Sequence, residues 1–417
     1  MWRLPLLLTS LLLQLISTIV FGGFAETYPQ DLHKTGIGEY TLRLHSIQDV
    51  QAMVKRPDLG AIWSLTLEFD FDPSTLLQRD WRWLAELSRL TALEITAGKL
   101  RDTGAEALFE NLKYVPHLAY LGLEANDIGP LGFRSLSANL KSIQNLRFLQ
   151  LRSNRMTHLG LAWLAPSLFW VPELIGLDLS ENQLGPEAIS ALSENLKELK
   201  ALSFLDLSDN QLGEAGATTL STGLLRAEKL STLVLCRNKI GDVGLSSVIS
   251  ELSHLPSLSY FGLAGNCISA DPLPALVREL KTLPLLTHLE LGGNLLGDTG
   301  VLALTHDWAH LRSLSRLGLS NNQIGDVGAT ALANGTQDVP SLTELILSNN
   351  KITSEGAQSW ARPLGNSRSL VHLGLSRNAI EPDCCFYLGR IARQNPRKIE
   401  VELLDQAKVK KKISSNR

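Results

Sequence analysis

Ten asparagines stand in one arithmetic series: Asn126, Asn154, Asn182, Asn210, Asn238, Asn266, Asn294, Asn322, Asn350 and Asn378. Each is 28 residues from the next, over 252 positions without a slip. Nine share the frame L-x-x-L-x-L-x-x-N-x-[ILM], as in Leu202, Leu205, Leu207, Asn210 and Leu212, and the unit of Asn266 departs from it only by Phe261 in place of a leucine. A strict period of this size means one supersecondary unit stacked on copies of itself, since a single unit cannot bury its own apolar face. Such a chain grows as a solenoid, so its 417 residues need not divide into the two or three domains that length alone suggests.

Within a unit, the L-x-L core predicts a strand of a few residues with alternating faces. Leu205 and Leu207 point inward; Phe204, Asp206 and Ser208 point away. The asparagine then turns the chain, and its amide can donate to and accept from backbone of its own turn and of the neighbouring copy. Stacked copies predict a buried amide ladder satisfying loop backbone that no sheet reaches. The second half of each unit is spaced as a helix. A small residue recurs there (Gly132, Gly160, Ala188, Gly216, Gly244, Gly300, Gly328, Gly356), expected to let the helix lie close to the strand layer. Leu136, Leu164, Leu192, Leu220, Val248, Leu276, Leu304 and Leu332 should fill the interior. The pairs Gly241-Asp242, Gly297-Asp298 and Gly325-Asp326 suit helix entrances, where an acid complements the positive end.

A strand and a full helix in each unit make the helical layer wider than the sheet, so the stack must curve. The expected fold is an α/β solenoid shaped as a horseshoe, with a parallel β-sheet on the concave face and α-helices on the convex face. The stretches 202–224 and 314–335 closely resemble the ribonuclease-inhibitor type of leucine-rich repeat. They are also similar to the repeat domains of Ran GTPase-activating proteins and NOD-like receptors. Eleven copies span 90–397. The resemblance implies a protein-interaction scaffold without catalysis. Its alternatives are a GTPase-activating regulator, working through polar residues on the repeat rim, or an inhibitor of a basic ribonuclease. No motif aligns to the GTPase-activating residues, and the abundant cysteines of ribonuclease inhibitors are missing.

Outside the repeats, Arg3 and the uncharged stretch 4–21, followed by Gly23-Phe24-Ala25, read as a signal peptide over 1–25. An uncleaved membrane anchor is the alternative. A secreted or periplasmic location follows from the leader, and a cytoplasmic one from the usual setting of such repeats. The segment 26–61 is the expected N-terminal cap, with a short strand at 40–44 and an amphipathic helix at 47–56. Residues 62–397 are assigned to repeats, the first copy degenerate, with Asp70 and then Gly98 at the ladder position. Trp81 and Trp83 should pack in the first helical layer. Residues 398–417 hold a terminal strand and a basic tail.

Net charge is −3, which favours neither nucleic acid nor an anionic membrane as partner. Cys236, Cys267, Cys384 and Cys385 form no clustered frame and read as free thiols. His306 and His310, four apart in a helix, would share a face, but no third metal ligand accompanies them. Gly36-Ile37-Gly38 lacks the third glycine of a dinucleotide fingerprint. No catalytic residue, cofactor or metal is therefore expected.

Binding information belongs on the outward strand positions, which packing leaves free. There the chain carries Tyr120, Phe148, Phe204 and Tyr260, aromatics that should face solvent. Glu94, Glu124, Asp178, Glu181, Asp206, Asp209 and Glu290 join them, relieved by Arg152 and Arg237. Exposed rings of this kind anchor interfaces. The candidate partner-binding set is Tyr120, Glu124, Phe148, Arg152, Asp178, Phe204, Asp206, Asp209, Arg237, Tyr260 and Glu290. It predicts a protein partner that presents basic and apolar groups.

Overall fold

The structure, a computed structural model, describes residues 32–36, 39–53 and 59–403. The leader, the basic tail and residues 37, 38 and 54–58 lie outside the described residues. Among the described residues fifteen strands form one sheet in sequence order. Leu32–Gly36 pairs antiparallel with Glu39–Leu44, and every later pairing is parallel. Between repeats the register advances by one period: Gly176 faces Phe204, Leu177 faces Leu205, and Asp178 faces Asp206. Repeat strands are mostly three residues long, as in Phe204–Asp206. The frame explains their brevity, because the asparagine turns the chain shortly afterward.

Inward leucines of consecutive units meet in one continuous core; Leu205, Leu207, Leu212, Leu220 and Leu224 are all fully buried. Trp81 and Trp83 are buried as well and stack with ring centroids 6.4 Å apart. The helix expected at 47–56 is observed over Ile47–Ala52, with Ser46 capping it through a bond from the Asp49 N–H. The final strand is Glu400–Glu402.

The asparagines form a ladder that always reaches back one unit. Nδ2 of Asn238 donates to the carbonyls of Leu207 in the preceding unit and of Leu235 and Cys236 in its own turn (2.8, 3.1 and 3.2 Å). Oδ1 of Asn266 in turn accepts from the N–H of Asn238 at 2.8 Å. Gly98 extends the ladder by donating its N–H to Asn126 Oδ1. Eight of the ten amides are buried, from Asn126 to Asn322. Asn350 and Asn378, near the C-terminal end, are only half-buried, since fewer repeats stack beyond them.

Two expectations need correction, and a third gains a second role. The recurring small residue faces the preceding unit's helix entrance rather than the sheet: a Cβ on Gly244 would meet Ala217 Cβ at 2.8 Å and Glu214 Cα at 3.2 Å. The acid after the entrance glycine does stand in the first turn of its own helix, as Asp242, Asp298 and Asp326 show, but its side-chain hydrogen bonds go to the next unit. Asp298 Oδ1 accepts from Gly325 N and Gly328 N (2.7 and 2.9 Å), at the entrance to helix Asp326–Gly335 one unit on. Asp242 serves Ser269, and Asp326 serves Thr353, in the same way. The unit-to-unit offset brings each acid beside the next entrance, where free N–H groups await an acceptor. Finally, His306 and His310 do not share a helix. Gly297–Thr305 ends before His306, and His310 lies in the separate turn Trp308–His310.

Candidate functional site

Strand alternation sorts the concave wall into rows. The first carries Tyr120, Phe148, Gly176, Phe204, Thr232 and Tyr260; two residues later come Gly122, Gln150, Asp178, Asp206, Val234 and Gly262. A third row holds Arg152, Ser180, Ser208, Cys236 and Ala264. Beyond it Glu181, Asp209 and Arg237 occupy left-handed backbone (φ 52°, 53° and 55°) immediately before the ladder asparagines. These rows enclose a groove of about 170 Å³. Ten of the eleven candidate residues line it: Tyr120, Phe148, Arg152, Asp178, Phe204, Asp206, Asp209, Arg237, Tyr260 and Glu290. Glu124 stands beside it, 3.7 Å from Arg152.

The aromatic row does not face bulk solvent as its outward positions imply. Tyr120, Phe148 and Phe204 are buried, and Tyr260 is half-buried. Curvature brings concave side chains together, and Ala92, Tyr120 and Phe148 form an apolar cluster separate from the main core. Gly176 makes this possible: Phe148 leans over it, so a Cβ there would lie 2.6 Å from the ring. The Tyr120 hydroxyl donates to Gln150 Oε1 at 2.6 Å. Tyr260 stacks on His288, with centroids 5.8 Å apart.

The acidic wall is largely paired within the chain. Arg152 sits between Glu124 and Glu181, at 3.7 and 2.5 Å. Arg237 pairs with Asp209. Arg316 bridges Glu290, at 3.0 Å, and Glu344. Asp178 and Asp206 differ. Asp178 Oδ1 accepts from Ser180 N and Oγ (2.9 and 2.6 Å), and Asp206 Oδ1 accepts from Ser208 N at 2.8 Å. Both keep partly accessible tips yet sit on the groove floor. Desolvation raises the Asp178 carboxyl above its ordinary range. Desolvation and the neighbouring Asp178 push Asp206 up to about 7. Burial likewise raises Glu290, sends the Tyr260 hydroxyl well up, and pushes the Cys236 thiol to about 12.

Several lining residues were not singled out from sequence as partner-binding. Ser180, Ser208 and Cys236 lie on the outward face by the same parity that selected their neighbours. Gly176 carries a weaker signal, a gap in an otherwise bulky row. Cys236, Cys384 and Cys385 are buried free thiols, and Cys267 is an exposed one. Among the described residues no group of three or more His, Cys, Asp and Glu is arranged to hold a metal ion, and no helix is long and apolar enough to cross a membrane.

The family described as "Leucine Rich repeat" matches residues 176–193, 201–221, 282–304, 310–333 and 340–359. No curated protein matches the sequence. A solved structure of the Rad7 and Elc1 complex in yeast aligns with a TM-score of 0.52 and 18% identity, covering 82% of this chain and 81% of that chain. An internalin from Listeria monocytogenes aligns with a TM-score of 0.49 and 20% identity, over 86% and 94% of the two chains. A leucine-rich-repeat protein from Leptospira interrogans gives 0.47 and 19%, over 90% and 93%. The repeating frame, the 28-residue register and the stacked helices make this chain a leucine-rich-repeat solenoid, a fold typical of non-catalytic protein-binding scaffolds.

Proposed function

We propose that the groove between Tyr120 and Glu290 is the docking site for a partner protein that presents basic and apolar groups together. The observation that carries this reading is the floor itself. Asp178 and Asp206 are desolvated in a groove that aromatic side chains also line, an arrangement that destabilises the free protein unless something complements it. A basic group supplies the charge, and an apolar neighbour covers the rings. The leader over 1–25 supports an exported protein, and N-terminal sequencing of the mature product tests that point.

The docking reading is tested by affinity capture from the native cell. Wild type is compared with a variant carrying Phe148→Asp and Phe204→Asp, both proteins being checked for folding by circular dichroism. Loss of the captured partner supports the concave site, and unchanged capture refutes it. An inhibitor of the ribonuclease-inhibitor kind would use the same acidic groove against a basic enzyme. A GTPase-activating regulator would act from the rim and tolerate the double substitution.

A further inference from the structure

Every arginine lining the groove, and Arg316 beside it, is already committed. Arg152 is held by Glu124 and Glu181, Arg237 by Asp209, and Arg316 by Glu290 and Glu344. Asp178 and Asp206 are register partners on adjacent strands. Neither has an ion-pair partner among the described residues. Their serine bonds fix one oxygen, Oδ1, of each carboxylate. That leaves each Oδ2 without a hydrogen-bond donor among the described residues, on side chains that line the cavity. The wall thus repeats one pattern, arginine against carboxylates, and lacks the arginine at one place.

Size and shape narrow what fits there. The groove's volume of about 170 Å³ is close to the roughly 150 Å³ cavity that accepts one benzene. It lies below the roughly 300 Å³ at which drug-sized sites begin. That space suits one side-chain head group. Neighbouring strands lie about 4.8 Å apart, so two carboxylates at paired register positions come within reach of one planar, multiply donating cation. Phe148, Phe204 and Tyr260 offer aromatic surface beside them. A guanidinium is planar, weakly hydrated and stacks on rings, whereas an ammonium is a strongly hydrated point charge.

We infer that the groove receives a single arginine side chain of the partner protein, its guanidinium bridging Asp178 and Asp206 against the aromatic row. The inference rests on the docking reading above and specifies the residue the partner brings. The raised Asp206 carboxyl agrees with it, since this is the behaviour of a buried carboxylate lacking its cation.

The test needs no knowledge of the partner. N-acetyl-arginine methylamide is titrated onto the full-length protein at pH 7.5 and followed by ligand-observed NMR, beside the citrulline and lysine counterparts. Citrulline keeps the shape and removes the charge. Saturable binding of the arginine compound is expected, with the citrulline compound at least about tenfold weaker and the lysine compound also weaker. A variant carrying Asp178→Asn and Asp206→Asn should lose the binding while staying folded, with a thermal midpoint no lower than that of wild type. Absent arginine binding, equal binding of either analogue, or unchanged binding by the variant would overturn the inference. The analogue comparison uses wild type alone, so it stands whatever the variant does. If Phe148→Asp with Phe204→Asp abolishes partner capture while the arginine compound fails to bind, docking survives and only the arginine assignment falls.

Discussion

Replacing Asp206 by asparagine should stabilise this protein, and more so at alkaline pH. In the folded chain the carboxyl is pushed from 3.8 to about 7, first by desolvation and then by Asp178. Arg152 and the Ser208 bonds act the other way without compensating; Cys236 and Tyr260 face the same space and stay neutral. An acid whose folded pKa is raised holds a proton that the unfolded chain has lost. Stability therefore falls as pH climbs from about 4 to about 7, and the whole penalty is present above that window. About three units correspond to about 4 kcal/mol. Asparagine keeps an acceptor for the Ser208 N–H and removes the charge. Urea unfolding followed by far-UV circular dichroism should show Asp206→Asn more stable than wild type by about 1–4 kcal/mol at pH 8. The gain should fall to less than about half of that at pH 5. A variant no more stable than wild type at pH 8, or a gain independent of pH, would refute the desolvated-floor argument.

Asn266→Ala removes the acceptor for the N–H groups of Asn238 and Ile240, while the carbonyls of Leu235 and Leu263 keep Asn238 Nδ2 and Asn294 Nδ2 as donors; it should cost about 2–5 kcal/mol at roughly 1–3 per orphaned group. Asn378→Ala, in a half-buried rung, should cost visibly less in the same denaturation assay. Asp298→Ala removes the acceptor for Gly325 N and Gly328 N, so it should cost about 0.5–2 kcal/mol. Hydrogen exchange should locate the loosening at helix Asp326–Gly335 rather than at Gly297–Thr305, which carries the mutation. Gly176→Val places a branched side chain where the Phe148 ring lies. Overpacking should cost about 1–3 kcal/mol and close the groove, read as lost partner capture with the far-UV spectrum retained.

The correct parts of the sequence reading and its errors divide along one physical line. Leu205 faces the core and Phe204 faces away because residues of a strand alternate, which the chain shows within five positions. Which outward residues form a cavity depends on how far curvature tips neighbouring strands together, and no single unit contains that. Phe148 was read as a solvent-facing ring, yet Gly176, one period on, gives it a place to lie. Arg152 reads as relieving the acidic wall in general, whereas stacking pairs it with Glu124 and Glu181 and leaves it acting on Asp178 and Asp206 only as a nearby charge that does not offset their desolvation. Asp298 stands in the first turn of its own helix, as its place in the sequence suggests, and the unit offset hands its hydrogen bonds to the next.

The 28-residue spacing by itself determined the solenoid, its core leucines, its ladder asparagines and the face that remains open, because each follows from local geometry repeated. Only the tertiary structure decided which charges on that face are satisfied and which are left wanting. Those contacts join residues 26 to 30 positions apart, and their distances are set by the stacking and bend of the whole coil.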